Sequence, residues 1–206
     1  IIDEVFNKLN IPVIIKINNR KILFGIIESF GLENKFTDIT VAIDKLDKIG
    51  IDGVKEELIR MQIDEEKASG LLNFFEAGKG IKSKLEKLSS ALENSQYGLK
   101  GIKEIKKLLS YTEKLEPKSE IELDLSLARG LDYYTGAIFE VKAANTEMGS
   151  ICGGGRYDDL TGIFGLKDVS GVGISFGADR IYDVLENMQA FPDSKMQLSK
   201  LLFVNF

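Results

Sequence analysis

The first 37 residues alternate between helical and strand patterns of hydrophobic side chains. Residues 1–10 place apolar side chains at the spacing of an amphipathic helix, at Ile2, Val5, Phe6 and Leu9. Pro12 ends that pattern, and residues 13–18 are β-branched and alternate between apolar and polar, which predicts a strand. A short helix is expected from Arg20 onward.

Between Thr37 and Pro117 the strand patterns give way to helical spacing. Short helices are predicted over residues 43–49, 54–61, 64–77, 81–92 and 99–109. Asp64 is the expected N-cap of the third helix, and glycines separate the helices from one another. The block formed by residues 38–118 is therefore predicted to be an all-α domain inserted into a different fold.

The last third of the chain is rich in strand patterns. Residues 121–127 alternate strictly, and further strands are predicted over residues 136–142, 148–152 and 172–176, followed by a helix from Asp179. Short connections between successive strands favour antiparallel pairing. Residues 1–37 and 119–191 together predict an α+β fold, an antiparallel sheet with flanking helices that the all-α insertion interrupts. Residues 192–206 are interpreted as a linker and the start of another domain.

The composition narrows the chemistry available to the chain. Its 206 residues are 44% hydrophobic, which indicates a folded protein, and no apolar run approaches the roughly 20 residues of a membrane helix. Histidine is absent and Cys152 is the single cysteine, so an internal disulfide, a zinc site and a histidine nucleophile partner or general base are excluded. The first residues lack the basic flank and cleavage site of a secretory signal. A cytoplasmic protein without membrane association or a metal site of its own is expected.

Arginine and glycine are concentrated in one part of an otherwise lysine-rich chain. Lysine outnumbers arginine 22 to 5, yet three of the arginines are Arg129, Arg156 and Arg180, and 11 of the 20 glycines lie in residues 130–177. Planar bidentate cations beside backbone that a ligand can approach are typical of phosphate and carboxylate binding. Glycine-rich hairpin turns with salt-bridged arginines are the structural alternative.

Three segments carry these residues. In chain order they read Arg-Gly-Leu-Asp-Tyr-Tyr-Thr-Gly (residues 129–136), Gly-Gly-Gly-Arg-Tyr-Asp (residues 153–158) and Gly-Val-Gly-Ile-Ser-Phe-Gly (residues 171–177). The first links two strands but is too long for a tight hairpin, and its guanidinium, carboxylate and phenols suit a polar pocket. An aromatic hairpin that fills a core is the alternative. The three consecutive glycines are expected at the end of a strand, where a ligand or another backbone passes close by.

These segments resemble a known family. The first two are similar to the two signature motifs of histidyl-tRNA synthetases, and residues 171–181 resemble the third general motif of class II aminoacyl-tRNA synthetases. Residues 41–50, Val-Ala-Ile-Asp-Lys-Leu-Asp-Lys-Ile-Gly, are similar to the start of the family's helical insertion domain. The resemblance implies a histidine–tRNA ligase with its class II catalytic core in residues 1–37 and 119–191, its insertion domain in residues 38–118, and an anticodon-binding domain beginning within residues 192–206.

The resemblance also implies roles for individual residues. Arg129 would bridge the histidine carboxylate and the α-phosphate of ATP in the transition state of adenylation. The residues expected to contact histidine are Arg129, Tyr133, Tyr134, Gly153, Gly154 and Tyr157. The residues expected to contact ATP, which would arrive with Mg²⁺, are Gly155, Gly171, Gly173 and Arg180. The roles of Asp132 and Arg156 stay open.

The implied partners are tRNA(His) and, in the full-length protein, a second copy in a homodimer. In the family the insertion domain approaches the acceptor end of the tRNA. Here residues 79–118 hold ten lysines against five glutamates, inside a chain whose net charge is −5. Contacts from these lysines to phosphates would make binding salt-dependent. A solvated lysine-rich helical face is the alternative.

The resemblance is incomplete in several respects. Two earlier motifs of the family, one at the dimer interface and one that contacts the α-phosphate, have no counterpart here, so a fragment that is inactive alone is expected. Asp179 stands where the family usually has Glu, and Asp159 stands where Gly is common. Two non-catalytic readings are the alternatives. One is the synthetase-like regulatory subunit of ATP phosphoribosyltransferase, which tends to lose the first signature motif, and the other is a tRNA-sensing module of a regulatory protein.

Overall fold

A mixed sheet lies at the centre of the part of the chain that the computed structural model describes, residues 1–75, 80–128, 133–144 and 146–191. Within these residues the sheet has five strands, in the spatial order β2-β1-β3-β4-β5. The strands are β1 (Val13–Asn19), β2 (Glu120–Leu123), β3 (Ala137–Ala143), β4 (Cys152–Tyr157) and β5 (Gly171–Phe176). β1 pairs with β2 in parallel, and the remaining neighbours pair antiparallel.

Helices flank this sheet and fill the long connection between β1 and β2. They are α1 (Ile2–Lys8), α2 (Arg20–Ser29), α3 (Phe36–Ile43), α4 (Leu46–Arg60), α5 (Glu65–Leu72), α6 (Ile81–Ala91), α7 (Gln96–Glu113), α8 (Leu160–Ile163) and α9 (Ala178–Asn187). The predicted α+β class with flanking helices is confirmed. The parallel β1–β2 pair differs from the expected antiparallel pairing, because the helices from α2 to α7 return the chain to the end of the sheet where β1 begins.

The first strand after the helices is shorter than its alternating sequence predicts. Residues 121–127 keep alternating burial, with Leu123, Leu125 and Leu127 buried, but β2 ends at Leu123. The reason is Asp124, whose Oδ1 accepts hydrogen bonds from the backbone N–H of Ser126 (2.9 Å) and from its hydroxyl (2.5 Å). This Asx-type turn bends the chain out of the sheet.

The glycine-rich strand begins later than predicted. A strand was expected over residues 148–152, with the three glycines at its end, but β4 begins at Cys152 and runs through all three glycines to Tyr157. The glycines occupy ladder positions on both sides, since Gly154 pairs with Phe139 of β3 and with Ile174 of β5. They therefore lie inside the sheet rather than at its edge.

The helical block follows the predicted pattern with two changes. The helix predicted over residues 43–49 is divided, because α3 ends at Ile43 and α4 begins at Leu46, while the predicted break at Gly50 is present as a non-helical residue inside α4. Asp64 does cap α5, accepting from the N–H groups of Glu66 and Lys67. That helix ends at Leu72 rather than at Ala77, which lies outside the described residues, as do residues 192–206.

Helix α7 crosses α2 at close range, and glycines make the crossing possible. A Cβ atom on Gly25 of α2 would lie 2.6 Å from the Cα of Gly98, and one on Gly101 would lie 2.8 Å from the backbone nitrogen of Ile22. Buried side chains from both the sheet and the helical block form one continuous core. This contact brings the middle of α7 beside the end of β1. The boundaries of the insertion domain, residues 38–118, stay a prediction.

Asp124 is expected to contribute about 2 kcal/mol of stability that depends on pH. Burial favours its neutral form, but hydrogen bonds from Lys16 Nζ (2.6 Å) and from Ser126 outweigh burial and hold the pKa of the carboxyl below its usual value. A carboxyl with a depressed pKa stabilises the fold above its unfolded pKa, about 4, and loses that contribution as pH falls through the folded value. Urea unfolding from pH 3 to 7 should show wild type and Asp124→Asn converging below about pH 4. A constant difference across this range would contradict the assignment.

Candidate functional site

An open cleft of about 810 Å³ lies over one face of the sheet. Its floor is formed by side chains and backbone of β3, β4 and β5, namely Ile138, Glu140, Gly153, Gly154 and Ser175. Tyr133 and Tyr134 border one side, and Arg180 of α9 lies at another. A cleft of this size, with an apolar lining and a few convergent polar groups, suits a small-molecule ligand.

The floor follows from the register of the three strands. Glu140 of β3 pairs with Gly153 of β4, which pairs in turn with Ser175 of β5. Directly paired residues lie on the same face of a sheet, so these three positions line the cleft together. Because the middle one is glycine, nothing projects from β4 between the carboxyl group and the hydroxyl group.

The three glycines of β4 meet different neighbours. A Cβ atom on Gly153 would come no closer than 3.5 Å to a neighbouring atom, the carbonyl oxygen of Phe139. One on Gly154 would lie 2.0 Å from the carbonyl oxygen of Gly173 and 2.7 Å from the ring of Phe139. One on Gly155 would lie 2.8 Å from the ring of Tyr134. The sequence therefore needs glycine at 154 and 155 for packing, whereas Gly153 leaves space in the cleft.

The rings of two adjacent tyrosines pack against each other at a tilt beside the floor. The rings of Tyr133 and Tyr134 lie 4.5 Å apart, and the hydroxyl of Tyr133 donates to that of Tyr134 at 3.4 Å. Burial, together with the neighbouring Tyr133, raises the pKa of Tyr134 to about 12. A tyrosine phenol is protonated at neutral pH even at its ordinary pKa, so Tyr134 has a hydrogen that it can donate to a ligand.

Tyr157 lies behind this pair rather than in the cleft lining. Its ring packs edge-on against Tyr133 at 6.2 Å and covers two glycines of β5. A Cβ atom on Gly171 would lie 2.1 Å from the Tyr157 ring, and one on Gly173 would lie 3.2 Å from it. The side-chain-free surface of these glycines is thus occupied by a tyrosine of the protein itself.

Arg180 supplies the cationic end of the cleft. It is the third residue of α9, and its Nη1 donates to the carbonyl oxygen of Ser150 at 2.6 Å. The guanidinium is exposed and has further N–H donors, which suits a carboxylate or phosphate group. The N-terminus of α9 adds a favourable dipole for an anion nearby.

Arg156 takes part in a brace beneath the tyrosine loop. Its Nε and Nη2 bond to Asp158 Oδ1 at 3.0 and 2.9 Å, and the Thr135 hydroxyl donates to Asp158 Oδ2 at 2.7 Å. Burial opposes ionisation of this carboxyl, but the bonds from Thr135 and Arg156 hold the pKa of Asp158 below its usual value. The guanidinium of Arg156 therefore supports the loop through Asp158.

The predicted site residues separate into three groups. The cleft brings together Tyr133, Tyr134, Gly153, Gly154 and Arg180. Gly155, Tyr157, Gly171 and Gly173 pack behind it in the contacts described above. Arg129 and Asp132 lie outside the described residues.

Sequence reasoning missed one wall of the cleft. This wall comes from the start of α2, from α3 and from the beginning of the next helix, and consists of Arg20, Thr37, Thr40, Val41, Asp44, Lys45 and Lys48. In the sequence alone, residues 41–50, which contain Val41, indicate only the start of an insertion domain.

The described residues also limit the chemistry of the site. Among them, no group of three or more acidic or cysteine side chains could hold a metal ion. Burial raises the pKa of the Cys152 thiol to about 11, so it is a neutral thiol at physiological pH. In the same part of the chain, every helix is too short or too polar to traverse a bilayer.

Comparison with protein families and curated sequences gives a consistent result. The family model for histidyl-tRNA synthetase matches residues 2–181. The histidine–tRNA ligase of Porphyromonas gingivalis is 56% identical over 206 residues, which cover 100% of this chain and 45% of that protein. The histidine–tRNA ligase of Bacteroides fragilis is 54% identical over 206 residues, with the same coverage. The chain thus spans about half the length of the curated relatives it matches.

Solved structures show the same likeness. A histidyl-tRNA synthetase from Nostoc sp. matches with a TM-score of 0.86 and 34% identity, covering 93% of this chain and 46% of that one. A Bacillus halodurans protein described as an ATP phosphoribosyltransferase regulatory subunit/histidyl-tRNA synthetase matches with a TM-score of 0.70 and 18% identity, covering 88% of this chain and 48% of that one. At that identity the second likeness concerns the fold alone.

Proposed function

Because this chain belongs to the histidyl-tRNA synthetase family, we propose that the protein containing it activates histidine with ATP and transfers it to tRNA(His). The observation that carries the proposal is the cleft. It joins the two tyrosines of the first signature motif, the glycines of the second, and the arginine of the class II motif around about 810 Å³ of space. Residues up to 47 positions apart in the sequence thereby face one ligand-sized volume.

Histidine is the substrate that the tyrosine side of the cleft would take. Tyr134 is protonated at neutral pH, as any tyrosine with an ordinary or raised pKa is, so its hydroxyl can donate to the unprotonated nitrogen of an imidazole. Gly153 leaves room on the floor for the amino acid, and Arg129 would neutralise its carboxylate. Tyr157 and Gly155 would act indirectly, by packing against Tyr133 and Tyr134.

ATP, with its Mg²⁺, is the second substrate that the cleft would accept. Arg180 and the N-terminus of α9 offer positive charge to the outer phosphates. Arg129 would stabilise the charge that develops on the α-phosphate as the histidine carboxylate attacks it and pyrophosphate leaves. Gly171 and Gly173 are proposed to shape the adenine side, where an adenine would meet the Tyr157 ring that packs on them.

The lysine-rich helices α6 and α7 are the proposed contact for tRNA. Their exposed lysines, with those of the following turn, are Lys82, Lys87, Lys100, Lys103, Lys106, Lys107, Lys114 and Lys118. Each phosphate they neutralise would steepen the salt dependence of binding by about one unit of log K per log salt. We further propose a class II enzyme that works in the cytoplasm as a homodimer. The single buried cysteine suits a reducing compartment.

The test is ATP–pyrophosphate exchange by the whole protein. Exchange is expected with histidine and at background with each other amino acid, while the 206-residue chain alone, which spans 45% of its relatives, is expected to show none. A folded whole protein that binds histidine or tRNA without exchange would contradict the enzyme and favour a non-catalytic relative, such as the regulatory subunit of ATP phosphoribosyltransferase.

A further inference from the structure

The junction between β1 and α2 holds both ends of the loop that carries the signature arginine and tyrosines. Asn18 is fully buried, and its Nδ2 donates to the carbonyl oxygens of Leu125 (3.0 Å) and Leu127 (2.9 Å), just before the loop. Three residues later, Lys21 Nζ donates to the carbonyl oxygen of Thr135 at 2.8 Å, just after the tyrosines. One short segment therefore fixes where the loop leaves the core and where it returns.

Lys21 is the unusual member of this junction, since a lysine is rarely buried without a partner. It is 5% exposed, and its ammonium lies 2.9 Å from Glu104 Oε2 of α7. The same carboxylate oxygen accepts from Asn19 Nδ2 at 2.9 Å, while Asn19 Oδ1 caps α2 through the Lys21 N–H. The ammonium is thus oriented by a carboxylate that is itself held in place.

Such a pair is weak evidence for stability, because an apolar pair of the same volume packs as well or better. The pair instead fixes the direction of the Lys21 ammonium, which donates to one carbonyl oxygen of the loop that carries the tyrosines. Thr135 in turn bonds to residues that lie beside the tyrosines. Its N–H donates to the carbonyl oxygen of Arg156 at 2.9 Å and its hydroxyl to Asp158, next to the Tyr134 ring packed on Gly155.

We propose that Lys21, oriented by Glu104, is a positioning residue that sets the place of Tyr133 and Tyr134 in the cleft through the carbonyl of Thr135. The inference rests on the proposed function, because it assigns these tyrosines to histidine. It gives helix α7, which lies outside the signature motifs, a part in amino-acid recognition. Arg180 does not depend on this pair, since it is held by the carbonyl oxygen of Ser150.

The experiment compares Lys21→Met, Lys21→Arg and a matched control in the whole protein. Lys55→Met is the control, because Lys55 pairs with Glu65 at 2.8 Å but lies outside the cleft lining. In histidine-dependent exchange, Lys21→Met is expected to raise the KM for histidine and lower kcat, each by about ten-fold, with the KM for ATP within about threefold. Lys21→Arg should recover most of the loss, and Lys55→Met should match wild type.

A second substitution and a second measurement keep the test decisive. Glu104→Gln should shift the same parameters in the same direction, and adding it to Lys21→Met should cause no further loss, because both act through one contact. In hydrogen exchange, Lys21→Met should speed exchange at residues 133–136 and leave β5 unchanged.

Three outcomes would overturn the proposal: unchanged kinetics in Lys21→Met and Glu104→Gln, a loss equal to that of Lys55→Met, or a lower Tm with unchanged KM, kcat and loop protection. An inactive wild-type protein would contradict the proposed function instead. The loop protection of Lys21→Met would then still decide whether the pair positions the tyrosines.

Discussion

Replacing Gly154 by alanine is expected to lower the free energy of unfolding by about 3 kcal/mol, while the same change at the preceding residue, Gly153, costs less than about 1 kcal/mol. The two positions lie next to each other in β4 and have the same backbone propensity. The difference between them arises from what a methyl group would meet on each face of the sheet.

At Gly154 there is no space for a methyl group. It would lie 2.0 Å from the carbonyl oxygen of Gly173, a backbone atom held in the β4–β5 ladder, and 2.7 Å from the Phe139 ring. Relief requires separation of the two strands, because a backbone oxygen cannot rotate aside as a side chain can. At Gly153 the nearest contact is 3.5 Å, which is ordinary packing, and alanine also restricts the unfolded chain.

Urea unfolding of the two variants beside wild type measures this difference directly. Gly153→Ala should keep its stability, yet its methyl group projects into the cleft floor, so in the whole protein it should weaken histidine binding. Gly154→Ala should lose stability, but the fraction that stays folded should bind histidine as wild type does. Equal stabilities for the two alanine variants would show that β4 and β5 do not pair as described.

The sequence anticipated the close approach at these glycines but not its cause. Three glycines in a row predicted that a ligand or another backbone passes close by, and the backbone of Gly173 does so at Gly154, whereas at Gly155 the nearest atoms belong to the Tyr134 ring. The clashing atoms belong to Gly173 and Tyr134, which are distant in sequence, so no local pattern could identify them. The early end of β2 has a local cause instead, because a turn set by Asp124 and Ser126 interrupts an alternation that continues through Leu127.

The candidate site was predictable where a motif contributes a side chain directly to the cleft. Tyr133, Tyr134 and Arg180 line it, and each was assigned to a ligand from the motifs alone. Motif membership could not separate them from Tyr157, which packs against Tyr133 from behind. A motif records which residues a fold needs together, without saying which of them face the ligand.

Residues outside the motifs were beyond the reach of sequence patterns. Lys21 resembles a surface lysine in a chain that has 22 of them, and its burial depends on Glu104, 83 residues away. The α3 wall of the cleft was missed although part of it lies in residues 41–50, because a helix packed over a sheet contributes residues at helical spacing that resemble any amphipathic face. Tertiary contacts, rather than local propensity, decide such positions.

Arg129→Ala is expected to lower histidine-dependent ATP–pyrophosphate exchange in the whole protein by about 10³-fold. In the sequence Arg129 directly follows Ala128 and precedes Tyr133, which both line the cleft, and it is the first residue of the motif that contains the two tyrosines. A guanidinium there would meet the charge that grows on the α-phosphate as the carboxylate attacks. A group that stabilises the transition state more than the bound substrates lowers kcat when it is removed, with a smaller change in KM.

One further variant separates the charge of this side chain from its shape, and another serves as a control. Arg129→Lys keeps the charge but loses the planar fork, so it should recover part of the loss and remain well below wild type. Arg60→Ala is the matched control, since Arg60 is exposed on α4 and pairs with Glu56 one helical turn away. Exchange by Arg129→Ala within tenfold of wild type, with Arg60→Ala unchanged, would remove Arg129 from the chemistry. Stabilisation of the transition-state charge would then be assigned to Arg180, and Arg180→Ala would have to show the loss in kcat instead.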